Sequence, residues 1–282
     1  MGDLRSKAGT LYVVATPIGN LSDMSRRATT ILQSVRLIAA EDTRQTAKLL
    51  ACYSISTPMA AYHEHNEVRQ TPVLMRRLLA GEDVALVSDA GSPLVSDPGY
   101  RLVSAAWDAE VRVVPIPGPC AAIAALTAAG LPCHRFHFEG FLPAKPGARR
   151  GRLDALLGNP DTLIFYESVH RLEDALEDMC TVLGPLRGAA LARELTKIHE
   201  TIRRGSLKDI SQWVAARPDE RKGEYVVLVE GADEPGDAEG ERVLDLLSEE
   251  LPLGRAADLA ARITGSPRNR LYRRALDKRR GR

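Results

Sequence analysis

Three apolar strand patterns, each followed at once by a loop rich in glycine and proline, constrain the fold of this chain most. Short β-branched runs that end in such loops are typical of buried parallel strands. In an open α/β sheet, the loops at the carboxyl ends of the strands line the ligand crevice. The sequence therefore predicts a small-molecule cofactor site. The three pairs are LYVVA and TPIGN at 11–20, VALV and SDAGSP at 84–93, and VRVV and PIPGPCA at 111–121.

Strand and helix patterns alternate over residues 11 to 130, which indicates a βαβ series and a parallel sheet with helices on its faces. An alanine-rich helix is expected directly after the third loop, with its free N–H groups facing a ligand. The strands are predicted at 11–15, about 36–40, 84–88 and 111–115, and the helices include 25–32, 73–79 and 119–129.

A second α/β block follows at roughly 131–230, and a cleft between the two blocks is a natural ligand site. The predicted domains are 1–120, 121–233 and 234–282, the last being an acidic linker with a small, helix-turn-helix-like module. Within the second block, strands are predicted at 136–138, 162–166, 189–192 and 225–229, and helices at about 170–183 and 206–216.

The last helical segment, 268–280, carries a concentrated positive charge, although the chain as a whole has a net charge of +1. Such a helix is suited to a phosphate backbone, while a solvated surface helix is the alternative. A second basic cluster that begins at Lys145 favours nucleic acid. The expected RNA contacts are Arg149, Arg150, Arg152, Arg270, Arg273, Arg274, Arg279 and Arg280.

Several classes of protein are disfavoured. No apolar stretch is long enough for a bilayer, and the first residues lack a secretory signal, so a cytoplasmic enzyme is expected. The four cysteines have no C-x-x-C spacing, which predicts reduced, buried thiols without zinc or disulfides. The pair His63 and His65 lacks a third ligand, so no metal is expected. Neither a dinucleotide fingerprint nor a P-loop is present.

Eight motifs in order make the chain similar to the bacterial small-subunit rRNA (cytidine-2'-O)-methyltransferases, a family of the tetrapyrrole methylase superfamily. The resemblance covers nearly the whole chain, including the basic tail. The motifs are ATPIGNL at 15–21, AEDTR at 40–44, VSDAGSP at 87–93, DPGY at 97–100, PGPCAA at 117–122, EGFLP at 139–143, FYES at 165–168 and ARELTK at 192–197.

This resemblance implies two α/β lobes, a homodimer, and S-adenosylmethionine bound in the cleft between the lobes. It also implies methylation of a cytidine ribose 2'-hydroxyl in the decoding region of 16S rRNA, on the small ribosomal subunit. Members that modify tetrapyrroles usually carry G-x-G-P-G after the first strand. The TPIGN sequence at 16–20 is similar to the rRNA branch instead.

Cofactor contacts follow from the resemblance, position by position. A nucleophilic role for Cys120 is the competing idea, but no base neighbours it in the sequence. The implied contacts are Pro17, Gly19, Ser88, Asp89, Ala90, Gly91, Ser92, Val95, Pro117, Gly118, Cys120, Ala121, Tyr166, Glu167, Ser168, Arg193, Glu194 and Leu195.

Transfer to a ribose hydroxyl requires an oriented oxygen and a group that takes its proton. For each candidate, a surface salt bridge or a helix cap is an equally good interpretation. The loops are otherwise poor in carboxylates, with Asp89 and Asp97 as exceptions. The candidates are Glu41, Asp42, Glu167 and Glu194, with Lys145 and Lys197 as bases or phosphate contacts.

Two other classes of function remain open from the sequence. One is a methyltransferase of the same superfamily that acts on a tetrapyrrole-like small molecule or a protein side chain, for which the segment 236–282 would be dispensable. The other is a non-catalytic RNA-binding protein, which would bind no cofactor. The three glycine- and proline-rich loops disfavour this last class.

Overall fold

The computed structural model describes residues 8–217, 223–232 and 237–280, and contains two five-stranded sheets followed by three helices. This confirms the predicted α/β class with a helical C-terminal segment. The acidic linker falls partly on residues 233–236, which lie outside the described residues. No described helix is both long and apolar enough to span a bilayer.

The first sheet is wholly parallel, with strand order β3-β2-β4-β1-β5. β3 was missed by the sequence patterns because three residues show no periodicity. The elements are β1 (Thr10–Val14), α1 (Arg26–Ser34), β2 (Leu37–Ala40), α2 (Thr43–Cys52), β3 (Met59–Ala61), α3 (Glu67–Leu79), β4 (Val84–Val87), α4 (Tyr100–Asp108) and β5 (Arg112–Ile116).

Helices cover both faces of this sheet, which explains why its central strands are apolar throughout. Every residue of β2 and β4 is buried, as expected for strands with two covered faces. Leu74 and Leu102 of α3 and α4 pack on one face, and Leu32 and Leu50 of α1 and α2 pack on the other. Only the carboxyl ends of the strands therefore open toward a ligand.

The second sheet has strand order β6-β7-β10-β8-β9, and only the pair β6 and β7 is parallel. The exposed edge strand β9 was missed because its sequence, TIRRGS, lacks an apolar face. The elements are α5 (Ala121–Ala128), β6 (Phe136–Phe141), α6 (Pro146–Ala155), β7 (Thr162–Ser168), α7 (Leu172–Leu183), β8 (Gly188–Arg193), β9 (Thr201–Ser206), α8 (Leu207–Ala215) and β10 (Glu224–Val229).

Helix α5 joins the two lobes. Its apolar residues Ala125 and Leu126 pack on the second sheet against Ile164 and Val226, and Ile18 from the first lobe belongs to the same cluster. Helices α6, α7 and α8 supply the core on the opposite face of that sheet. The loops after β1, β4 and β5 are thereby brought against the second lobe.

The C-terminal segment forms three helices, α9 (Asp237–Glu250), α10 (Leu253–Thr264) and α11 (Arg268–Arg280). They share a small core that includes Leu244, Leu253 and Leu271. Gly265 ends α10 in the left-handed conformation, with φ of 76°, which glycine adopts without steric cost.

The cysteines correct one expectation. All four thiols are free, but Cys52 and Cys133 are exposed and only Cys120 and Cys180 are partly buried. The prediction of buried thiols is therefore wrong for two of the four.

Candidate functional site

A cavity of about 410 Å³ opens where the strand-end loops of the first lobe meet the second lobe. This volume is within the range of small-molecule sites. Its walls are the loops after β2, β4 and β5 and parts of β6, β7, β8 and β10. The lining residues are Ile18, Glu41, Asp89, Ala90, Gly91, Ser92, Val95, Ser96, Asp97, Cys120, Ala121, Phe141, Tyr166, Glu167, Ser168, Val169, Ala192, Leu195, Lys197, Gly223, Glu224, Tyr225 and Val226.

Most of the implied cofactor residues line this cavity. Of the implied residues that do not line it, Pro17 and Ser88 are buried, and Gly19, Pro117 and Gly118 are exposed. Arg193 and Glu194 also lie outside the wall. The residues of the implied set that do line it are Asp89, Ala90, Gly91, Ser92, Val95, Cys120, Ala121, Tyr166, Glu167, Ser168 and Leu195.

Hydrogen bonds between loops fix the first-lobe wall. The Thr16 N–H donates to Gly91 O at 2.8 Å, and the Gly91 N–H donates to Thr16 O at 3.1 Å. The Ser92 hydroxyl donates to Pro119 O at 3.1 Å. The three loops found in the sequence therefore form one connected surface.

Tyr166 connects the second lobe to helix α5. Its hydroxyl oxygen accepts the N–H of Ala122 at 3.1 Å, so one of the N–H groups expected to face a ligand is bound by a side chain instead. The rings of Phe138 and Phe141 meet Tyr166 edge-on, with centroids 5.0 and 5.7 Å away. Burial raises the pKa of Tyr166, so the phenol stays protonated and can donate into the cavity.

Three carboxylates line the first-lobe side. Glu41 Oε2 accepts the Asp89 N–H at 3.3 Å, and Asp89 Oδ1 accepts the Asp42 N–H at 3.0 Å. Burial raises the pKa of Glu41 and of Asp89. Burial also raises the pKa of Asp97 to about 6, with Glu41 and Asp89 adding to the shift and the Ser88 hydroxyl opposing it. This side of the cavity is suited to a positively charged ligand.

Lys197 is the cation of the second-lobe wall. Its ammonium group lies 2.8 Å from Glu194 Oε1 and 3.1 Å from Glu224 Oε2. Burial alone would raise the pKa of Glu194, but the hydrogen bonds from Lys197 and the Glu224 N–H outweigh burial and lower it. Glu194 is thus a fixed anion that holds Lys197.

Glu167 is the most buried charged residue of the wall, with 2 % of its surface exposed. Its Oε1 accepts the Ser168 N–H at 2.9 Å and lies 3.4 Å from Arg171 Nε. Among the described residues, its Oε2 has no hydrogen-bond partner. A buried acceptor of this kind is costly unless a ligand satisfies it.

Backbone strain is concentrated around the cavity. Four of the six non-glycine residues with positive φ in the described chain lie in its loops: Leu94 at 72°, Ser96 at 67°, Glu194 at 49° and Thr196 at 67°. Such conformations persist where the surrounding structure enforces them, typically at functional sites.

Other candidates lie away from the cavity. Lys145 caps α6 and does not line the wall. Asp42 caps α2 and binds Arg44, whose hydrogen bonds lower the pKa of Asp42 to about 2. Asn66 binds the ring nitrogen Nε2 of His63 at 3.1 Å. No group of His, Cys, Asp and Glu in the described segments could hold a metal ion.

The basic cluster on α6 is not the fully exposed set of arginines that was expected to contact RNA. Arg149 is 3 % exposed and bonds Asp178 Oδ2 at 2.6 Å, so the expectation that it contacts RNA is corrected. Arg150 also binds Asp178, at 2.8 Å, and Arg152 binds Glu139 at 2.6 Å. Both keep exposed side chains.

On α11, Arg274 pairs with Glu241 at 2.7 Å and remains 56 % exposed. The side chains of the other expected contacts on this helix, Arg270, Arg273, Arg279 and Arg280, lie outside the described part of the structure.

Asp97, Lys197, Glu224 and Phe141 line the cavity although the sequence did not assign them to the cofactor. The available signal for Asp97 was a carboxylate within a glycine- and proline-rich loop. Phe141 lies in the EGFLP motif, to which no contact was assigned. For Glu224 no local signal exists, because sheet pairing in the second lobe brings it to the wall.

Comparison with known proteins agrees with this architecture. Residues 10–211 match the family model of the Tetrapyrrole (Corrin/Porphyrin) Methylases, and residues 234–279 match the RsmI C-terminal HTH domain. Ribosomal RNA small subunit methyltransferase I of Pseudomonas aeruginosa is 56% identical over 96% of this chain and 98% of its own length.

Solved structures show the same fold at lower identity. A uroporphyrin-III-C-methyltransferase from Thermus thermophilus has a TM-score of 0.56 and 21% identity, covering 86% of this chain and 99% of its own. A Thermus thermophilus enzyme of the same description, complexed with S-adenyl homocysteine, has a TM-score of 0.55 and 20% identity, covering 78% and 96%. The chain therefore belongs to the tetrapyrrole methylases, in the ribosomal RNA small subunit methyltransferase I family.

Proposed function

We propose that this chain is an S-adenosylmethionine-dependent methyltransferase that methylates the 2'-hydroxyl of a cytidine in the decoding region of 16S rRNA. The observation that carries the proposal is the cavity between the two lobes, in a chain whose relatives are named ribosomal RNA small subunit methyltransferase I. We further propose that it acts on the small ribosomal subunit, in the cytoplasm, as a homodimer.

The cavity fits the proposed cofactor chemically. The cofactor carries positive charge on sulfur and on its amino group, and Glu41 and Asp89 place carboxylates on one wall. The unsatisfied Oε2 of Glu167 is an acceptor for a ligand hydroxyl or amino group. When bound, S-adenosylmethionine supplies a methyl group on an electron-poor sulfur.

The residues of this chain have the tasks of orienting the ribose and excluding water. The loop 89–92 and residues Cys120 and Ala121 would hold the cofactor from the first lobe, and Tyr166 and Leu195 from the second. The Tyr166 hydroxyl, fixed by the Ala122 N–H at 3.1 Å, can donate a hydrogen bond to a ligand oxygen. Methyl transfer then requires one further group that takes the hydroxyl proton.

RNA docking is assigned to the C-terminal helices and the exposed arginines of α6. The basic helix α11 is suited to phosphate contacts. Arg150 and Arg152 are ion-paired but have side chains that are 57% and 43% exposed, so they can also reach a phosphate. We also propose domain boundaries at 120 and 233, which are supported by the change from the first sheet to the second and then to the helical module.

The test is transfer of radiolabelled methyl from S-adenosylmethionine to small subunits that lack the modification, with naked rRNA in parallel. Label at one alkali-resistant cytidine linkage is expected. Label on a different nucleotide or on a base would overturn the assignment of the 2'-hydroxyl. Cofactor binding without any labelled RNA would instead indicate that the methyl acceptor is a small molecule or a protein side chain.

A further inference from the structure

We propose that Asp97 takes the proton of the ribose 2'-hydroxyl during methyl transfer. This role rests on the proposed function, because it requires an acceptor hydroxyl. Asp97 lines the cavity beside Asp89 and Glu41. It begins the DPGY motif, for which the resemblance implied no chemical role.

The backbone holds Asp97 in place from both sides. Ser96 before it has φ of 67°, and Gly99 after it has φ of 141°. A Cβ at Gly99 would come within 2.8 Å of Leu86 Cδ2 and 2.9 Å of Leu94 Cδ1, so the loop is packed tightly on β4. Such a turn presents its carboxylate in a defined direction, which a proton acceptor needs.

The surroundings of Asp97 make it a stronger base than a free carboxylate. Within the described chain, it has no ion pair and accepts no backbone N–H, and its polar neighbour is the Ser88 hydroxyl. Glu41 and Asp89 face it from the first lobe and Tyr166 from the second, while Lys197 of the same wall is held by two glutamates.

Because its pKa is about 6, this carboxylate is about nine-tenths ionised at pH 7. Most of the Asp97 carboxylate can therefore accept a proton at pH 7, and its pKa lies close to the working pH. This combination is the optimum for a general base.

The other carboxylates in and around the cavity bind groups of the protein. Asp89 accepts the Asp42 N–H, and Glu224 binds Lys197. Glu194 binds Lys197, which with the Glu224 N–H lowers its pKa and makes it a weak base. Glu41 accepts the Asp89 N–H. Burial raises the pKa of Glu167 too, although the Ser168 N–H and Arg171 at Oε1 oppose the shift. We assign its open Oε2 to a ligand donor.

The step is balanced in atoms and charge. The ribose oxygen forms a bond to the methyl carbon while the bond between that carbon and sulfur breaks, and the electron pair stays on sulfur. The hydroxyl proton moves to the Asp97 carboxylate. The products are a ribose methyl ether, a neutral thioether and a protonated Asp97, which returns its proton to water.

The test compares Asp97→Asn with the wild-type protein. Asparagine keeps the shape and cannot take the proton, so single-turnover methylation of subunits should fall by roughly 10²–10⁴-fold. The dissociation constant for S-adenosylmethionine should change by less than about threefold. The wild-type kcat/KM, whose pH dependence reports the free enzyme, should rise with pH through an inflection near 6, the pKa of Asp97, and the variant should lack this inflection.

A second readout needs no cofactor. Carbon-13 NMR of side-chain carboxyl groups should show one aspartate that titrates near pH 6 in the cofactor-free protein and is absent from Asp97→Asn. Asp108→Asn, at the exposed end of α4, is the matched control and should behave as wild type.

The proposal is overturned if Asp97→Asn stays within about threefold of the wild-type rate, keeps the inflection, or loses its rate only through weaker cofactor binding. Asp97→Glu is the second variant should Asn impair folding. It should retain pH-dependent activity with a displaced inflection, and an unchanged inflection would equally overturn the proposal. Absence of label from the wild-type protein would instead refute the proposed function.

Discussion

The side chain of Lys197, from the second lobe, packs against Gly19 of the first lobe so closely that there is no space for a methyl group at Gly19. The φ of Gly19 is 154°, a conformation rarely adopted by residues with side chains. The lysine is also bound by Glu194 and Glu224. The TPIGN loop is therefore shaped in part by a cation of the opposite lobe.

We expect Gly19→Ala to displace Lys197 and to weaken cofactor binding. The added methyl group would overlap the lysine stem, and overpacking of this kind costs about 1–3 kcal/mol. The measurements are urea unfolding and S-adenosylmethionine affinity. Gly151→Ala is the matched control, because a Cβ there meets nothing within 4 Å. It should preserve the affinity and should not lower the stability, since alanine is favoured over glycine within a helix. Equal affinity in the two variants would contradict the prediction.

Much of the fold could be predicted because periodicity is a local property. The fully buried strands β2 and β4, and the loops after β1, β4 and β5, were all apparent in the sequence. β9 was not, since an exposed edge strand need not alternate in polarity.

The side-chain partners in the site could not be predicted from local patterns. Arg149 resembles its neighbour Arg150 in the sequence, and both bind Asp178. Only the packing of α6 on α7 buries Arg149 and leaves the Arg150 side chain exposed. The approach of Lys197 to Gly19 likewise depends on how the two lobes meet.

The pair of Arg149 and Asp178 should contribute to stability rather than to RNA affinity. Arg149→Met leaves the buried Asp178 with Arg150 alone, and breaking such a pair costs about 3–5 kcal/mol. Arg150→Met, at an exposed position, should cost less than about 1 kcal/mol. Urea unfolding measures both changes. A destabilisation by Arg150→Met as large as that by Arg149→Met would show that the burial of the pair is not the cause.

The raised pKa of Asp97 predicts that the contribution of this residue to stability falls as the pH rises. The pKa is 3.8 for a free aspartate and about 6 in the fold, so folding favours the protonated form. The associated stability is complete below about pH 4 and is lost as the pH passes through 6.

Asp97→Asn removes this loss, so above pH 7 it should be more stable than the wild type by roughly 1–2 kcal/mol, since each pKa unit corresponds to about 1.4 kcal/mol and the partial exposure of Asp97 reduces the effect. Thermal unfolding at pH 5 and pH 8 measures the difference, with Asp108→Asn as the control. A variant that gains no stability at pH 8 relative to pH 5 would be inconsistent with a raised pKa.

One substitution, at Gly240, should disturb the packing of the C-terminal helical module without affecting the cofactor site. A Cβ at Gly240 of α9 would overlap Ser266 and lie 3.2 Å from Leu271 Cδ2, whereas Gly254 of α10 has nothing within 4 Å. Gly240→Ala should therefore loosen the packing of the three helices, and Gly254→Ala should not.

Because α11 carries the proposed phosphate contacts, we expect Gly240→Ala to lower subunit affinity and methylation together while leaving S-adenosylmethionine binding unchanged. The measurements are subunit binding at several salt concentrations and calorimetry with the cofactor. A smaller salt dependence in Gly240→Ala than in Gly254→Ala would show that phosphate contacts were lost. Full methylation by Gly240→Ala would mean that the helical module does not dock the substrate.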